Sequence, residues 1–338
     1  MLAATIAVFV LLALILYALM GGADFGGGMW DLLASGPRVG DQRDAIARAI
    51  APIWEANHVW LILVVVLLFT GFPAAFAAMM TALFVPVMVM LVGIVLRGSA
   101  FVFRNYDSRA GAARHRWGTA FGIASFFTPF FQGMILGALA TGKIRVADGV
   151  VTSGFLAGWL TPFAFACGGF ALGLFAFLAA PYLTLATPDG SPLQNDFRRR
   201  AIGSGLFLGP LAVAVFLTAR TGAPELFHGL TNWWAPWLLL VTSVCALAAL
   251  AALGMRRFKV ARVAAAGQVM SILLGWCLAQ YPNLITPDVT VTNAGAPTAT
   301  LRLLLLALGT GTVILLPSLV FLFRLFKGGE RRAGDLRS

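Results

Sequence analysis

Uninterrupted apolar runs, each long enough to cross a lipid bilayer as a helix, recur along the whole of this chain and leave few folds open to it. Crossing a hydrocarbon core of about 30 Å takes roughly 20 residues of helix. Nine such stretches are expected, near 3–22, 53–71, 74–96, 118–140, 154–180, 203–219, 234–254, 263–280 and 301–325. They are too long for barrel strands and do not alternate apolar with polar residues, which excludes a transmembrane β-barrel. With 60% hydrophobic and only 11% charged residues, and a mean hydropathy of +0.89, the chain cannot clothe a water-soluble globule. The fold expected is an all-α polytopic membrane protein, residues 1–338 forming a single integral membrane domain. No segment between the runs is long enough to bury a core of its own.

Charge then gives an orientation. All but four of the 24 basic residues, the exceptions being Lys143, Arg145, Arg220 and Arg302, fall in alternate segments at 38–48, 97–116, 198–200, 256–262 and 324–337. Lys and Arg of short loops stay on the cytoplasmic side, so the N-terminus is expected outside and the C-terminus inside. The first span carries no positive charge before it, Arg38 being the first basic residue, and reads as a retained helix rather than a secretory signal. The net charge of +11 follows from this topology and from contact with anionic membrane lipid, so no nucleic-acid partner is expected. Cys167, Cys245 and Cys277 lie singly in separate apolar runs, without the paired spacing of a metal or haem-attachment site. They read as small packing residues.

Against this background the acids near the inner ends of the first two spans stand out. A carboxylate near the bilayer core costs roughly 2.5–3.5 kcal/mol on insertion scales, so it persists where a cavity, a partner or a proton offsets the cost. Asp24 sits in Gly21-Gly22-Ala23-Asp24-Phe25-Gly26-Gly27-Gly28-Met29-Trp30-Asp31, a glycine cluster expected to close the first helix and let neighbouring helices approach. Asp24 reads as a functional acid or as a cap on the segment after it, and Asp31 reads as a cap. The second cluster, Pro52-Ile53-Trp54-Glu55-Ala56-Asn57-His58-Val59-Trp60-Leu61, opens the second span with Pro52 at a helix start. Glu55 and His58 are three residues apart and share a helix face, as a proton relay requires. His58 alone fits a satisfied core histidine or a haem ligand as well, and Trp60 fits an interfacial aromatic. His115 and His228 fall in loops. In later spans Ser125, Thr128, Pro129 and Gln132 put polar groups and a kink inside an apolar helix. Gly133 and Gly137 make a small-xxx-small face that suits either a partner or another helix of this chain.

The two clusters carry a resemblance. Gly22 to Met29 matches the Gly-x-Asp-x-Gly-x-Gly-Met pattern, and Pro52 to Leu61 the Pro-x-Trp-Asp/Glu-x-Asn-x-x-Trp-Leu pattern, of subunit II of cytochrome bd-type oxidases. Phe72-Pro73 and Tyr281-Pro282-Asn283-Leu284 fall where that family has similar segments. Glu55 stands where many relatives have Asp, and His58 where they often have Gln. The resemblance implies two four-helix bundles plus a peripheral helix, in a bacterial cytoplasmic membrane. It implies a partner, the haem-binding subunit I, which carries haems b and d in a terminal oxidase reducing dioxygen to water with electrons usually drawn from quinol. This chain would bind no haem; a structural quinone or lipid and a small accessory subunit are compatible with it. By the same resemblance Glu55 belongs to a proton route from the cytoplasm, with Asp24, Asn57 and His58 as neighbouring stations and Trp54, Trp60, Gly26, Gly28 and Pro52 as its structural frame. The alternatives are a purely structural partner subunit and a proton-coupled secondary transporter; for the latter, interrupted helices at the bilayer midplane would be expected.

Overall fold

The structure is a computed structural model that describes residues 1–50, 54–106 and 112–335; the side chains of 54–56, 105, 106, 112–115, 315, 316, 319, 320 and 322–335 also lie outside the described set. Pro52 and the side chains of Trp54 and Glu55 are therefore outside the described residues. The elements in order are α1 (Leu2–Leu32), α2 (Val39–Ile50), α3 (Trp54–Gly71), α4 (Pro73–Ala82), α5 (Phe84–Tyr106), α6 (Ala112–Ala140), β1 (Val146–Ala147), β2 (Val150–Val151), α7 (Pro162–Leu185), α8 (Pro192–Gly222), α9 (Pro224–Leu230), α10 (Ala235–Gly254), α11 (Phe258–Gln280), β3 (Asn283–Ile285), β4 (Val289–Thr290) and α12 (Thr298–Asp335). Among the described residues seven helices are long and apolar enough to cross a membrane, or eight with the bent pair α3–α4 taken as one span; α12 contributes a shorter apolar stretch, Thr298–Ile314.

Several expected boundaries move, each for a local reason. The first helix does not end at its glycines: α1 continues through them to Leu32. The expected span at 74–96 is two helices, α4 and α5, divided at Leu83, and α4 in turn leaves α3 at 117°. Pro73 has no N–H to continue the ladder, and Phe72 before it takes up φ −138°, ψ 60°. The corner is fixed by the Ala296 amide donating to the Gly71 carbonyl at 2.8 Å and by the fully buried Phe72 ring. The span expected from 154 begins as a helix only at Pro162, where extended Thr161 accepts from the Ala164 amide at 3.2 Å as N-cap. At α8 the helix starts earlier than expected, at Pro192, with Ser191 as its cap. His228 lies in α9 rather than in a loop; His115 lies in α6.

Helix α1 is central, packing against α3, α6, α7 and α11. The glycine cluster explains how so many helices fit round it. A methyl group built on Gly22 would meet the Phe175 ring, on Gly26 the Phe175 carbonyl of α7, on Gly27 Ile50 of α2, and on Gly28 Ser125 of α6. With no hydrophobic drive between helices in lipid, this close backbone approach is what gains dispersion contact. Gly133 and Gly137 serve in the same way within the chain, against Cys167 and Ala171 and against Cys167 and Ala164 of α7.

The two ends of the bundle differ. At one end Arg38 holds Asp196 with two guanidinium nitrogens (2.9 and 2.7 Å), Gln42 donates to the same carboxylate at 3.0 Å, and Arg200 donates to Gln42 at 2.7 Å. Arg200 also donates to the Trp30 and Leu33 carbonyls (3.4 and 3.2 Å), and Arg198 to those of Leu253 and Gly254 (2.6 and 2.9 Å). The first turns of α8 thus cap the carbonyl ends of α1 and α10, where helix partial charge is negative. At the other end two short hairpins cover the bundle. Asp148 and Gly149, at φ +49° and +78°, turn β1 into β2. Arg145 holds Asp288 at 2.8 and 2.9 Å, and the Val146 amide adds a third bond at 2.8 Å.

Two outcomes are expected from these ends. Arg198→Ala removes two charge-assisted bonds to helix carbonyls and lowers the melting temperature of the purified protein, at a cost of about 1–3 kcal/mol; an unchanged melting temperature would show the cap to be idle. The hydrogen bonds from Arg145 hold the Asp288 carboxyl below the usual carboxylate range. A depressed folded-state value means the contribution is present above the unfolded value and is lost as pH falls through the lower, folded one. Amide exchange at β1–β4 is therefore expected to quicken only at acid pH, and Asp288→Asn to remove that pH dependence.

Candidate functional site

Three residues of α1 repeat at an interval of seven: Tyr17, Asp24 and Asp31. Seven residues are close to two helical turns, so the three share one face with about 10.5 Å between neighbours. All three are buried, at 3%, 4% and 1% exposure. The helices facing them repeat at the same interval, with Arg97 and Arg104 on α5 and Ser125 and Gln132 on α6. The result is a polar ladder of three rungs inside an apolar bundle.

The rung nearest the basic end is an ion pair. Arg104 Nη1 donates to Asp31 Oδ1 at 2.9 Å, with side-chain exposures of 7% and 1%. Asp31, expected to cap, instead lies in the last turn of α1 facing α5; Arg43 of α2 donates to its carbonyl at 3.4 Å.

The middle rung holds Asp24, which does not cap a helix end but lies inside α1. Its Oδ2 accepts from Asn57 Nδ2 at 2.5 Å. The buried positive charge that balances it is Arg97, which acts on Asp24 through space. Arg97 is 1% exposed. Its Nε donates to Ser125 Oγ at 3.2 Å, and its Nη1 lies 3.5 Å from His58 Nε2. The guanidinium is flanked by the Phe25 and Phe121 rings, 4.7 and 5.1 Å from their centroids, as weakly hydrated Arg favours. Because a guanidinium only donates, His58 Nε2 is the acceptor and Nδ1 carries the imidazole proton. The His58 ring lies 5.7 Å from that of Phe25 and 6.1 Å from that of Tyr17.

At the inner rung Gln132 Nε2 donates to the Tyr17 hydroxyl oxygen at 2.5 Å. Four buried polar atoms along these rungs, Asn57 Oδ1, His58 Nδ1, Arg97 Nη2 and Gln132 Oε1, have no protein hydrogen-bond partner. Buried groups of this kind are where internal water binds, and these four line the interior between α1, α3, α5 and α6.

Of the residues expected from the sequence, Asp24, Asn57 and His58 come together. Glu55 and Trp54 begin α3, one turn before Asn57 and His58, with side chains outside the described residues, as is Pro52. Trp60 is half-buried and packs on the core shared by α1 and α7. Gly26 lies on the α7 side, whereas Gly28 makes room for the Ser125 hydroxyl that Arg97 donates to. Sequence reasoning misses Tyr17, and it misses Arg97 and Arg104 because a count of charges by loop assigns both to the surface. The shared interval of seven on α1, α5 and α6 is the signal that marks them. Among the described residues no three His, Cys, Asp or Glu side chains converge as a metal site would need.

The fold has a close counterpart. The structure of bd oxidase from Geobacillus thermodenitrificans contains a chain that superposes with a TM-score of 0.81 over 96% of this chain and 98% of that one, at 22% identity. In sequence the chain is 27% identical over 328 residues to a Bacillus subtilis protein assigned as subunit II of a cytochrome bd menaquinol oxidase, covering 94% of this chain and 93% of that one. It is 25% identical to the Bacillus subtilis cytochrome bd ubiquinol oxidase subunit 2, with 94% of each covered. It is 28% identical over 177 residues to the cytochrome bd-I ubiquinol oxidase subunit 2 of Escherichia coli, covering 52% and 46%. The family model for the cytochrome bd terminal oxidase subunit II matches residues 2–326, and the chain belongs to that family of membrane-spanning oxidoreductase subunits.

Proposed function

We propose that this chain serves a haem-bearing subunit I in a terminal oxidase that reduces dioxygen to water with electrons from quinol, and that it supplies part of the proton uptake path through Glu55 and Asp24. Asp24 carries the reading: a carboxylate at 4% exposure, bound by Asn57 on the first turns of α3 and balanced by Arg97, at a depth where an acid needs a reason to persist. Glu55 opens the same helix one turn earlier, so protons taken up there have His58 and Asp24 as the next stations. The orientation that fits is an N-terminus outside and a C-terminus in the cytoplasm of a bacterium, with residues 1–338 as one integral domain. The basic end, with Arg38, Arg198 and Arg200, then faces the cytoplasm from which the protons come.

Haems b and d belong in this reading to subunit I. His58 is poorly disposed as an axial ligand, since its Nε2 faces a guanidinium. Two relatives carry quinols in their names, menaquinol and ubiquinol, which supports a quinol as the electron donor of the complex. A structural lipid or quinone in this chain and a small accessory subunit are compatible with it. One observation favours a second reading, a purely structural partner: the segment that bears Asp24 is also the most closely packed of α1, with Gly22, Gly26 and Gly28 in contact with α7 and α6.

Substitution separates the two. In the purified complex, Glu55→Gln is expected to lower oxygen-reduction turnover by about tenfold or more while the reduced-minus-oxidised haem spectrum and subunit content stay unchanged. Wild-type turnover in that variant would remove Glu55 from the mechanism. Asp24→Asn keeps the shape and the bond to Asn57 but leaves Arg97 without its balancing charge, so a smaller loss of turnover is expected together with some loss of assembled complex. Loss of complex with normal turnover per haem supports the structural reading.

A further inference from the structure

The ladder does not stop at Asp24. One heptad deeper, at the midpoint of α1, Tyr17 is 3% exposed and accepts the Gln132 amide hydrogen at 2.5 Å. A phenol oxygen that accepts on one side directs its own O–H elsewhere. The His58 ring stands 6.1 Å from the Tyr17 ring, its Nδ1 is buried without a protein partner, and so is Gln132 Oε1. The charged or titratable side chains that act on Tyr17 or stand beside it are Asp24 on its own helix, His58 on α3 and Arg97 on α5; α6 presents uncharged Gln132. Another heptad outward the same faces carry Val10 on α1 and buried Leu139 on α6, so the polar line ends at Tyr17.

We propose that Tyr17, positioned by Gln132, is the last proton relay within this chain. It takes protons from the level of Asp24 and His58 and delivers them at mid-membrane, and nothing polar on these faces leads them farther outward. The proposal rests on the proton-path reading of Glu55 and Asp24. In each transfer one O–H bond forms at the phenol oxygen as the phenol's own O–H bond breaks, so Tyr17 ends uncharged. The released proton passes to an acceptor in the haem-bearing partner, where oxygen reduction consumes it. Gln132 is a positioning residue: it donates to the phenol and so directs the hydroxyl. A merely structural Tyr17–Gln132 bond would join α1 to α6 and have no part in turnover.

The experiment uses the assembled oxidase complex, with oxygen-consumption turnover measured in H₂O and D₂O and the haem spectrum recorded for each variant. Tyr17→Phe removes one oxygen atom and keeps the ring. Turnover is expected to fall about tenfold, the solvent isotope effect to rise, and the haem spectrum to stay unchanged; Gln132→Met gives the same changes by a smaller factor. Wild-type turnover and isotope effect in Tyr17→Phe, with Glu55→Gln slow, would overturn the Tyr17 relay and leave the path through Glu55 and Asp24 standing. Wild-type behaviour in both variants would overturn the path and the relay together. Should Tyr17→Phe fail to assemble, Gln132→Met at wild-type turnover and isotope effect overturns the relay.

Discussion

Opposite charges buried within hydrocarbon-spanning helices set the terms for the rest of this structure. Asp31 pairs with Arg104 at 2.9 Å, and one heptad deeper Asp24 lies within the longer-range field of Arg97, so two acids of α1 answer to two guanidinium groups of α5. Each pair has the same offset in sequence, so the two helices run parallel in a single register. Sliding one by a turn would break the Asp31–Arg104 pair and carry Arg97 away from Asp24 and Ser125. Leaving a buried charge unpaired costs about 3–5 kcal/mol, so the register is firmly specified even though burying a pair gains little stability over an apolar alternative. Helix α6 runs the other way and follows the same interval, Gln132 meeting Tyr17 and Ser125 meeting Arg97.

Charge pairing of this kind works only if the helices come close enough. Glycines of α1 provide that approach, Gly26 on a face the acids do not use and Gly28 on the acids' own face, four residues from Asp24. Gly26 admits the α7 backbone and Gly28 admits Ser125, which in turn receives Arg97. Packing and electrostatics are therefore coupled at Gly28: a side chain there would displace the hydroxyl that fixes the guanidinium. The same coupling holds at the basic end, where Arg198 and Arg200 satisfy helix carbonyls and join α8 to α1 and α10.

Class, helical fold and the cluster of Asp24, Asn57 and His58 are legible in the sequence, because hydrophobic run length and isolated acids in lipid obey strong constraints. Boundaries are less so. Glycines at residues 21–28 suggest a helix terminus, but in lipid an unsatisfied backbone is so costly that helices run through glycine whenever packing allows. The bend at Phe72-Pro73 is hidden because both limbs are apolar and a hydropathy window cannot see direction. Arg97 is hidden for a different reason. Counting positive charges by loop assigns an arginine near a span end to the surface, yet its partner Asp24 lies on a helix 73 residues earlier. Only the interval of seven, shared by α1, α5 and α6, places both inside.

That interval also gives the ladder a direction. Its polar rungs occupy the half of α1 from Tyr17 to Asp31, and the other half presents Val10 and Ile6 among apolar neighbours. A line of polar groups crossing the entire bundle would let protons leak down the gradient that a respiratory membrane maintains. A line that ends at mid-depth can feed an acceptor in an adjacent subunit from one face alone. On the proposed reading the apolar outer half is thus as much a part of the path as its acids, since the insulation beyond Tyr17 is what makes uptake one-sided.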